Sequence, residues 1–129
     1  MIVVNSSVWI SRLHDFDTPE TRELDKIDDY DDIILGDIVM LEILRGARND
    51  RNAANIRRVL GKYGVVSMLS PDLTVKAARN YRILREHGRT VSKTPDLIIG
   101  TFCIEHGYSL LQRDNDYLPI AEHLGLKLI

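Results

Sequence analysis

The sequence begins with Ile2-Val3-Val4-Asn5-Ser6-Ser7-Val8-Trp9-Ile10, in which a short apolar run is followed by polar residues and then by an amphipathic segment. A short continuous apolar run is typical of a β-strand covered on both faces. Ser6 or Ser7 can cap the helix that follows. The predicted apolar face of that helix carries Trp9, Leu13 and Phe16. The stretch therefore predicts a strand followed by a helix, the repeating unit of an α/β fold.

The same alternation continues to the end of the chain. Further strands are predicted at Ile33–Leu35, Val65–Leu69, Ser109–Leu111 and Lys127–Ile129. Helices are predicted over residues 19–27, 37–44, 52–62 and 117–124, and from Pro71 and Thr94 onward, with the Thr94 hydroxyl as cap and Pro95 in the first turn. This order predicts a single α/β domain over residues 1–129, with a short, mainly parallel sheet of about four to five strands flanked by helices on both faces.

Length and composition agree with one globular domain. The chain has 129 residues, of which 44% are hydrophobic and 28% charged, the usual proportions for a folded domain of this size. No apolar run approaches the roughly 20 residues that a membrane-spanning helix needs. The start has no basic lead-in, so we expect no signal peptide. The single cysteine, Cys103, lies in an apolar run and is expected to be a buried core thiol, which favours a cytoplasmic location.

The net charge of −2 hides an uneven distribution along the chain. Residues 15–37 are rich in acids, whereas two later segments are basic. The basic residues are Arg45, Arg48, Arg51, Arg57, Arg58 and Lys62, and then Arg79, Arg82, Arg85, Arg89 and Lys93. These segments are either solvated helix faces or surfaces that contact phosphates or an acidic partner, and charge alone does not decide between them.

Five polar residues stand near the predicted carboxyl ends of the strands, where open α/β sheets form their sites. Asn5 directly follows the first strand, and Asp114 and Asp116 follow the fourth. Asp96 lies in the first turn of the helix that begins at Thr94, and Glu42 lies inside the helix after the second strand. Parallel topology can bring all of these to one pocket.

Glu42 and Asp96 are placed in segments that should be buried. Glu42 lies within Ile38–Leu44, and Asp96 directly precedes Leu97–Ile104. An isolated ionised carboxylate is costly in such surroundings and requires a cation or strong donors. Local explanations also exist, because helix N-terminal N–H groups favour Asp96, and Arg45 one turn along can pair with Glu42.

Taken together, the acids indicate a site for a divalent cation. Several carboxylates within a few ångströms repel one another unless a cation neutralises them. Hard oxygen ligands select Mg²⁺, or Mn²⁺, over zinc. The histidines share no ligand spacing and are interpreted as surface or helix-end residues: His14, His87, His106 and His123. A phospho-receiver domain also collects acids at strand ends, but it needs adjacent acids after the first strand, where this chain has Asn5-Ser6.

Four stretches of the chain resemble the PIN domain, and specifically the VapC-type toxins of toxin–antitoxin pairs. These stretches occur in the family's order and at its spacing, and the resemblance extends over the full length. They are Ile2–Ile10, Leu41-Glu42-Ile43-Leu44-Arg45-Gly46, Thr94-Pro95-Asp96-Leu97-Ile98-Ile99-Gly100 and Leu110-Leu111-Gln112-Arg113-Asp114-Asn115-Asp116-Tyr117.

The resemblance implies a metal-dependent endoribonuclease that hydrolyses RNA phosphodiesters with one or two Mg²⁺ ions. The residues at the family's main acidic positions are Glu42, Asp96 and Asp114. Asp116 matches an accessory acid, and Ser7 matches a small hydroxyl residue that supports the first acid. Glu42 is expected to hold a metal-bound water or to assist in removing its proton, and Arg45 with the basic helices is expected to position the RNA backbone.

Asn5 departs from the family, which has Asp at this position, often as a direct metal ligand. An amide offers a carbonyl oxygen but no charge, so we expect weaker metal binding and little or no cleavage. Such a departure fits a naturally weakened member, or a chain altered so that a toxic protein can be produced. It also keeps open an alternative function, a catalytically silent module that only binds an antitoxin.

The resemblance also implies partners. A cognate antitoxin is expected to place a helix in an apolar groove between the N-terminal helices and to cover the acidic pocket. Homodimers and toxin–antitoxin hetero-oligomers are expected as well. The RNA that is cut is not specified by the sequence.

Overall fold

The computed structural model describes residues 1–129 and contains a five-stranded sheet in which all neighbouring strands are parallel. The strands are β1 (Ile2–Val4), β2 (Ile33–Gly36), β3 (Val65–Val66), β4 (Ser109–Leu111) and β5 (Lys127–Leu128). Their order across the sheet is β3-β2-β1-β4-β5. The predicted α/β class with a short parallel sheet is confirmed.

Seven α-helices accompany the sheet. They are α1 (Ser6–Leu13), α2 (Pro19–Asp25), α3 (Asp37–Arg45), α4 (Asp50–Leu60), α5 (Pro71–Glu86), α6 (Thr94–His106) and α7 (Leu118–Leu124). Short 3₁₀ turns at Tyr30–Asp32 and Asn115–Tyr117 precede β2 and α7.

The chain changes direction across the sheet beside its first strand. From β1 it moves outward to β2 and β3, and it then returns to place β4 on the other side of β1. Because parallel crossovers are right-handed, connections that run in opposite directions lie on opposite faces of the sheet. Helices α1 to α4 therefore cover one face and α5 to α7 the other. The reversal opens a crevice at the carboxyl ends of β1 and β4, where ligands bind in folds of this kind.

The core is formed by the continuous apolar runs that the sequence assigned to strands. Val3 and Val4 in β1 are completely buried, as are Leu35 in β2 and Leu110 in β4. Each is covered by helices on its own side of the sheet, which explains why these strands do not alternate apolar and polar residues. The pairing of Val4 with Leu111 sets the register of the two central strands.

Helix α6 is the most apolar of the helices that pack on the sheet. Its residues Ile98–Cys103 are all buried, and Cys103 is a free cysteine with no exposed surface. Burial raises the pKa of the Cys103 thiol to about 12, as expected for an unreactive core cysteine. Neither α6 nor any other helix combines the length and apolar character required to span a membrane.

Strand β3 is shorter than the predicted Val65–Leu69. It ends at Val66, at the edge of the sheet, and Leu69 is 43% exposed. The reason is a side-chain contact that ends the strand ladder, because the backbone N–H of Met68 donates to Oδ1 of Asp37 at 3.0 Å. This bond ties the end of β3 to the first turn of α3.

The predicted helix caps at Ser6, Ser7 and Thr94 are wrong. Helix α1 begins at Ser6 with Asn5 in the N-cap position, and α6 begins at Thr94 with Lys93 in that position, both without a side-chain cap bond. The Asn5 side chain is drawn away from the helix by distant partners. Phe16, predicted on the apolar face of α1, lies beyond the end of that helix and is 59% exposed.

A methyl group at Gly36 should destabilise the fold. A Cβ built there would overlap Sδ of Met68, a residue that is itself only 2% exposed. We expect Gly36→Ala to lower the free energy of unfolding by about 1–3 kcal/mol, measured by urea denaturation. Gly64→Ala is the matched control because nothing lies within 4 Å of its Cβ. Equal stability of the two variants would contradict this packing.

Candidate metal-binding site at the ends of the central strands

Asn5 and Asp114 meet at the crevice between β1 and β4. The backbone N–H of Asn5 donates to the carbonyl oxygen of Leu111 at 2.9 Å, which continues the parallel ladder one residue beyond the strand. The Asn5 side chain is buried, and its Nδ2 donates to Oδ2 of Asp114 at 3.1 Å and to Oγ of Ser7 at 3.3 Å. Residues more than one hundred positions apart in the chain are therefore hydrogen-bonded.

Helix α6 brings Asp96 to the same place. Asp96 stands in the first turn of the helix, directly after Pro95, and is only 4% exposed. Its Oδ1 accepts a hydrogen bond from the hydroxyl of Tyr117 at 3.1 Å. Its Oδ2 is buried without any hydrogen-bond partner. An orphaned carboxylate oxygen is costly in the interior and is a natural position for a cation.

Tyr117 links these groups and was missed as a site residue. Its side chain is completely buried, and its hydroxyl lies 3.0 Å from Oδ1 of Asn5 as well as 3.1 Å from Oδ1 of Asp96. A phenol carries one hydrogen, so the two acceptors share a single donor. Periodicity alone placed this residue at the start of a helix. The available signal was its position directly after Asp114-Asn115-Asp116.

Glu42 lies at the side of the site. It is half-buried on α3 and accepts a hydrogen bond from Oγ of Ser6 at 3.3 Å. Sequence analysis did not identify Ser6 as a contact of Glu42. The local alternative for Glu42 is not observed, because Arg45 makes no ion pair and is exposed at the end of α3.

Asp116 lies at the exposed rim of the site. Its Oδ2 is 3.5 Å from Nζ of Lys93, and both side chains are well exposed to solvent. The charge of Asp116 still reaches the interior, since it contributes to raising the pKa of Asp96. Its position is compatible with the accessory role that the resemblance implies.

The site concentrates negative charge around buried oxygens. Burial, above all, raises the pKa of Asp96 from 3.8 to about 6; the Tyr117 hydrogen bond opposes the rise, and the charge of Glu42 adds to it. Burial also raises the pKa of Tyr117 far above its usual range, and the charges of Asp96, Glu42 and Asp114 raise it further. Acids on three separate elements therefore act on one hydroxyl, as a shared site requires.

The donor atoms of these residues are of the kind that a divalent cation binds, but the centre of the site has too few carboxylates. All the donors are hard oxygens, and Oδ2 of Asp96 is free to bind. No group of three or more His, Cys, Asp or Glu side chains comes close enough together to hold an ion. The third position at the centre is filled by the amide of Asn5, whose nitrogen faces Asp114. A neutral donor thus stands where the resemblance implies a third carboxylate.

Stability should depend on pH through Asp96. Its folded-state pKa lies above the unfolded value, so the folded chain binds the extra proton and loses stability as pH rises from about 4 to 6. Relative to Asp96→Asn, the wild-type chain should lose on the order of 2–3 kcal/mol between pH 4 and pH 7.5. Urea unfolding of both proteins in EDTA measures this difference. A difference that stays constant with pH would show that Asp96 ionises as it does in water.

Comparison with solved structures identifies the same fold elsewhere. FitAcB from Neisseria gonorrhoeae superposes with a TM-score of 0.79 at 16% identity, over 100% of this chain and 96% of that one. VapBC2 from Rickettsia felis, solved with a DNA fragment from its promoter, gives a TM-score of 0.77 at 15% identity, over 100% and 98% of the two chains. At these identities the likeness concerns the fold.

Sequence comparison reaches the same group of proteins. The chain is similar to the VapC ribonuclease Mb1587 of Mycobacterium bovis and to ribonuclease VapC11 of Mycobacterium tuberculosis. Each is 27% identical over 131 aligned residues, which include 98% of this chain and 96% of the relative. The family model of the PIN domain matches residues 2–123, and the chain therefore belongs to the PIN domain family.

Proposed function

We propose that this chain is a metal-dependent endoribonuclease of the VapC type, the toxin of a toxin–antitoxin pair, and that Asn5 weakens its activity. Membership of the PIN family and near full-length similarity to proteins named VapC ribonucleases support the assignment. The observation that carries it is the set of hydrogen bonds that links Asp114, Asn5, Tyr117 and Asp96, together with Oδ2 of Asp96, which is buried without a partner. A phospho-receiver domain is set aside by the family match.

The cation is proposed to be Mg²⁺, or Mn²⁺, held by Asp96, Asp114 and the side chain at position 5, with Asp116 as an accessory. When bound, it supplies a Lewis acid that lowers the pKa of a water molecule and neutralises charge on the scissile phosphate. Asp96 contributes through Oδ2, because its Oδ1 is occupied by the Tyr117 hydroxyl. Asp114 is proposed to contribute through Oδ2, the oxygen to which the Asn5 amide donates.

Glu42 is proposed to accept the proton of the attacking water. It is half-buried on α3, close enough to Asp96 for its charge to raise the pKa of that residue. Ser6 donates to Oε1 and fixes the carboxylate, which leaves Oε2 to receive the proton. A carboxylate at the side of a metal site, rather than at its centre, is well placed for this task.

Basic residues near the site are proposed to hold the RNA backbone. Arg45 is exposed at the end of α3 and makes no ion pair, so its charge is available to a phosphate. Arg113 directly precedes Asp114 and is exposed; its Nη1 donates to Oγ of Ser11 at 2.7 Å, which fixes it beside the crevice. Phosphate contacts of this kind position a nucleic acid without reading its sequence.

Asn5 explains the proposed weakness. The amide brings no negative charge, and its Nδ2 donates a hydrogen bond to Oδ2 of Asp114, a proposed metal ligand. A hydrogen-bond donor at this point repels a cation as well as failing to bind it. Both effects lower the affinity of the site for Mg²⁺ and the activation of water.

The antitoxin is proposed to occupy the groove between α1, α2 and α4. The groove has a volume of about 550 Å³ and an apolar floor that includes Trp9, Leu24 and Tyr63. The lining also carries three acids, Asp15, Asp25 and Asp28, and two basic residues, Arg12 and Lys62, with Arg12 paired to Asp15 and Asp25. An amphipathic helix with charged flanks suits such a rim. The structural neighbours include one described as a toxin–antitoxin complex, from Klebsiella pneumoniae. We also propose a homodimer, which analytical ultracentrifugation of the purified chain tests.

Restoring the acid at position 5 should create activity. Asn5→Asp adds the missing charge and removes the amide hydrogens from Asp114, and we expect Mg²⁺-dependent cleavage of RNA to rise by at least about tenfold. The measurement is hydrolysis of total RNA and of separated tRNA, ribosomal RNA and mRNA, with Mg²⁺ or with EDTA.

The control variants distinguish an effect on the metal site from a general effect of removing an acid. Asp96→Asn or Asp114→Asn added to Asn5→Asp should abolish the gain, whereas Asp50→Asn, at an exposed position in the first turn of α4, should leave it unchanged. A folded Asn5→Asp chain that cleaves none of these RNAs with metal present would remove the nuclease assignment. That result, together with no metal binding in calorimetry, would favour the catalytically silent antitoxin-binding module.

A further inference from the structure

Four buried or half-buried side chains form one continuous hydrogen-bonded row across the site. Asp114 accepts from the Asn5 amide at 3.1 Å, Asn5 Oδ1 accepts from Tyr117 at 3.0 Å, and Tyr117 lies 3.1 Å from Asp96. The two ends of this row are carboxylates and its two middle members are neutral. Asn5 and Tyr117 have 1% and 0% of their surface exposed, so water does not mediate the row.

The two neutral members of the row, Asn5 and Tyr117, stabilise the charged carboxylates at its ends. Asp96 is buried and Asp114 is half-buried, so both carboxylates are partly removed from water, and in a metal-free chain hydrogen-bond donors offset that cost. The Asn5 amide donates to one carboxylate, and the Tyr117 hydroxyl is the donor nearest the other. Bonds of this kind, to charged acceptors, are stronger than neutral ones.

We propose that the Asn5 amide and the Tyr117 hydroxyl form a bridge that takes the place of a bound cation and that Tyr117 is a positioning residue of the site. The acidic side chains of this chain are thereby held in place without metal. The proposal rests on the proposed function only in treating Asp96 and Asp114 as metal ligands. It is tested by stability and metal binding, independently of RNA cleavage.

The hydroxyl also directs the Asp96 carboxylate. Because Tyr117 holds Oδ1, the carboxylate cannot turn freely, and Oδ2 remains the oxygen presented to the crevice. Phenylalanine at position 117 fills the same volume but leaves Oδ1 of both Asn5 and Asp96 without this donor. A ring that served only to fill the core would be replaced by phenylalanine at little cost.

The experiment compares four proteins: wild type, Asn5→Asp, Tyr117→Phe and the double variant. Thermal unfolding midpoints are measured in EDTA and in excess Mg²⁺, and Mn²⁺ affinity is measured by titration calorimetry. Tyr108→Phe is the matched control, since Tyr108 is half-buried against Phe102 and His106 and its hydroxyl makes no hydrogen bond within the chain.

We expect the wild-type midpoint to differ much less between EDTA and Mg²⁺ than the Asn5→Asp midpoint does, because the site with Asn5 binds the cation weakly. The Asn5→Asp midpoint should fall in EDTA and recover in Mg²⁺, because a ligand that binds only the folded state stabilises it. Tyr117→Phe should lower the midpoint of the wild type in both conditions, beyond any effect of Tyr108→Phe. In the Asn5→Asp background it should weaken Mn²⁺ binding by about tenfold, as is usual for a residue that orients a metal ligand.

Several results would overturn the bridge. They are a wild-type midpoint that rises with Mg²⁺ as much as that of Asn5→Asp, a Tyr117→Phe chain as stable as Tyr108→Phe, and unchanged Mn²⁺ affinity in the double variant. An Asn5→Asp chain that folds only with metal supports the bridge. If that variant folds in neither condition, the unfolding midpoints of wild type, Tyr117→Phe and Tyr108→Phe, measured in EDTA and in Mg²⁺, decide. An Asn5→Asp chain that binds Mn²⁺ but cuts no RNA would refute the nuclease and leave the bridge intact.

Discussion

The parallel pairing of β1 with β4 is the constraint on which the site depends. It joins the backbone of Asn5 to that of Leu111 and so places the two strand ends side by side at the point where the sheet reverses direction. Asp114 and Tyr117 follow β4 closely and therefore arrive next to Asn5. Helix α6 then only has to present its first turn for Asp96 to complete the group. In open α/β sheets the order of the strands determines where a ligand can bind, and the side chains at that place determine which ligand it is.

The buried carboxylate of Asp96 lowers the stability of the fold. Asp96 is buried with one oxygen unpartnered, and its pKa is raised to about 6, so the metal-free fold is destabilised at neutral pH by a group that it retains. Such a cost is typical of sites organised for a ligand rather than for stability. In this chain the hydrogen-bonded row through Asn5 and Tyr117 reduces the cost without charge.

Much of the fold followed from local patterns. Apolar runs such as Ile2–Val4 and Ile33–Leu35 identified the strands, and the rule that sites lie at strand ends selected Asn5, Asp96 and Asp114 before any coordinates were considered. Two of the errors come from contact between distant residues. The backbone N–H of Met68 donates to Asp37 and does not extend the edge strand, and the side chain of Asn5 bonds to Asp114 and Tyr117, more than one hundred residues away, and does not cap its helix.

Side-chain partnerships were the least predictable part of the site. Ser6 carries no sequence pattern that distinguishes it from a cap residue, and Tyr117 is distinguished only by its place directly after Asp114-Asn115-Asp116, yet they donate hydrogen bonds to Glu42 and Asp96. The most direct test of the central claim is a crystal structure of Asn5→Asp grown with Mn²⁺, in which anomalous scattering locates the ion. The account predicts one strong peak in contact with Oδ2 of Asp96, with Asp114 and with the side chain at position 5. An ion bound elsewhere, or acids that stay apart around an empty crevice at saturating Mn²⁺, would contradict it.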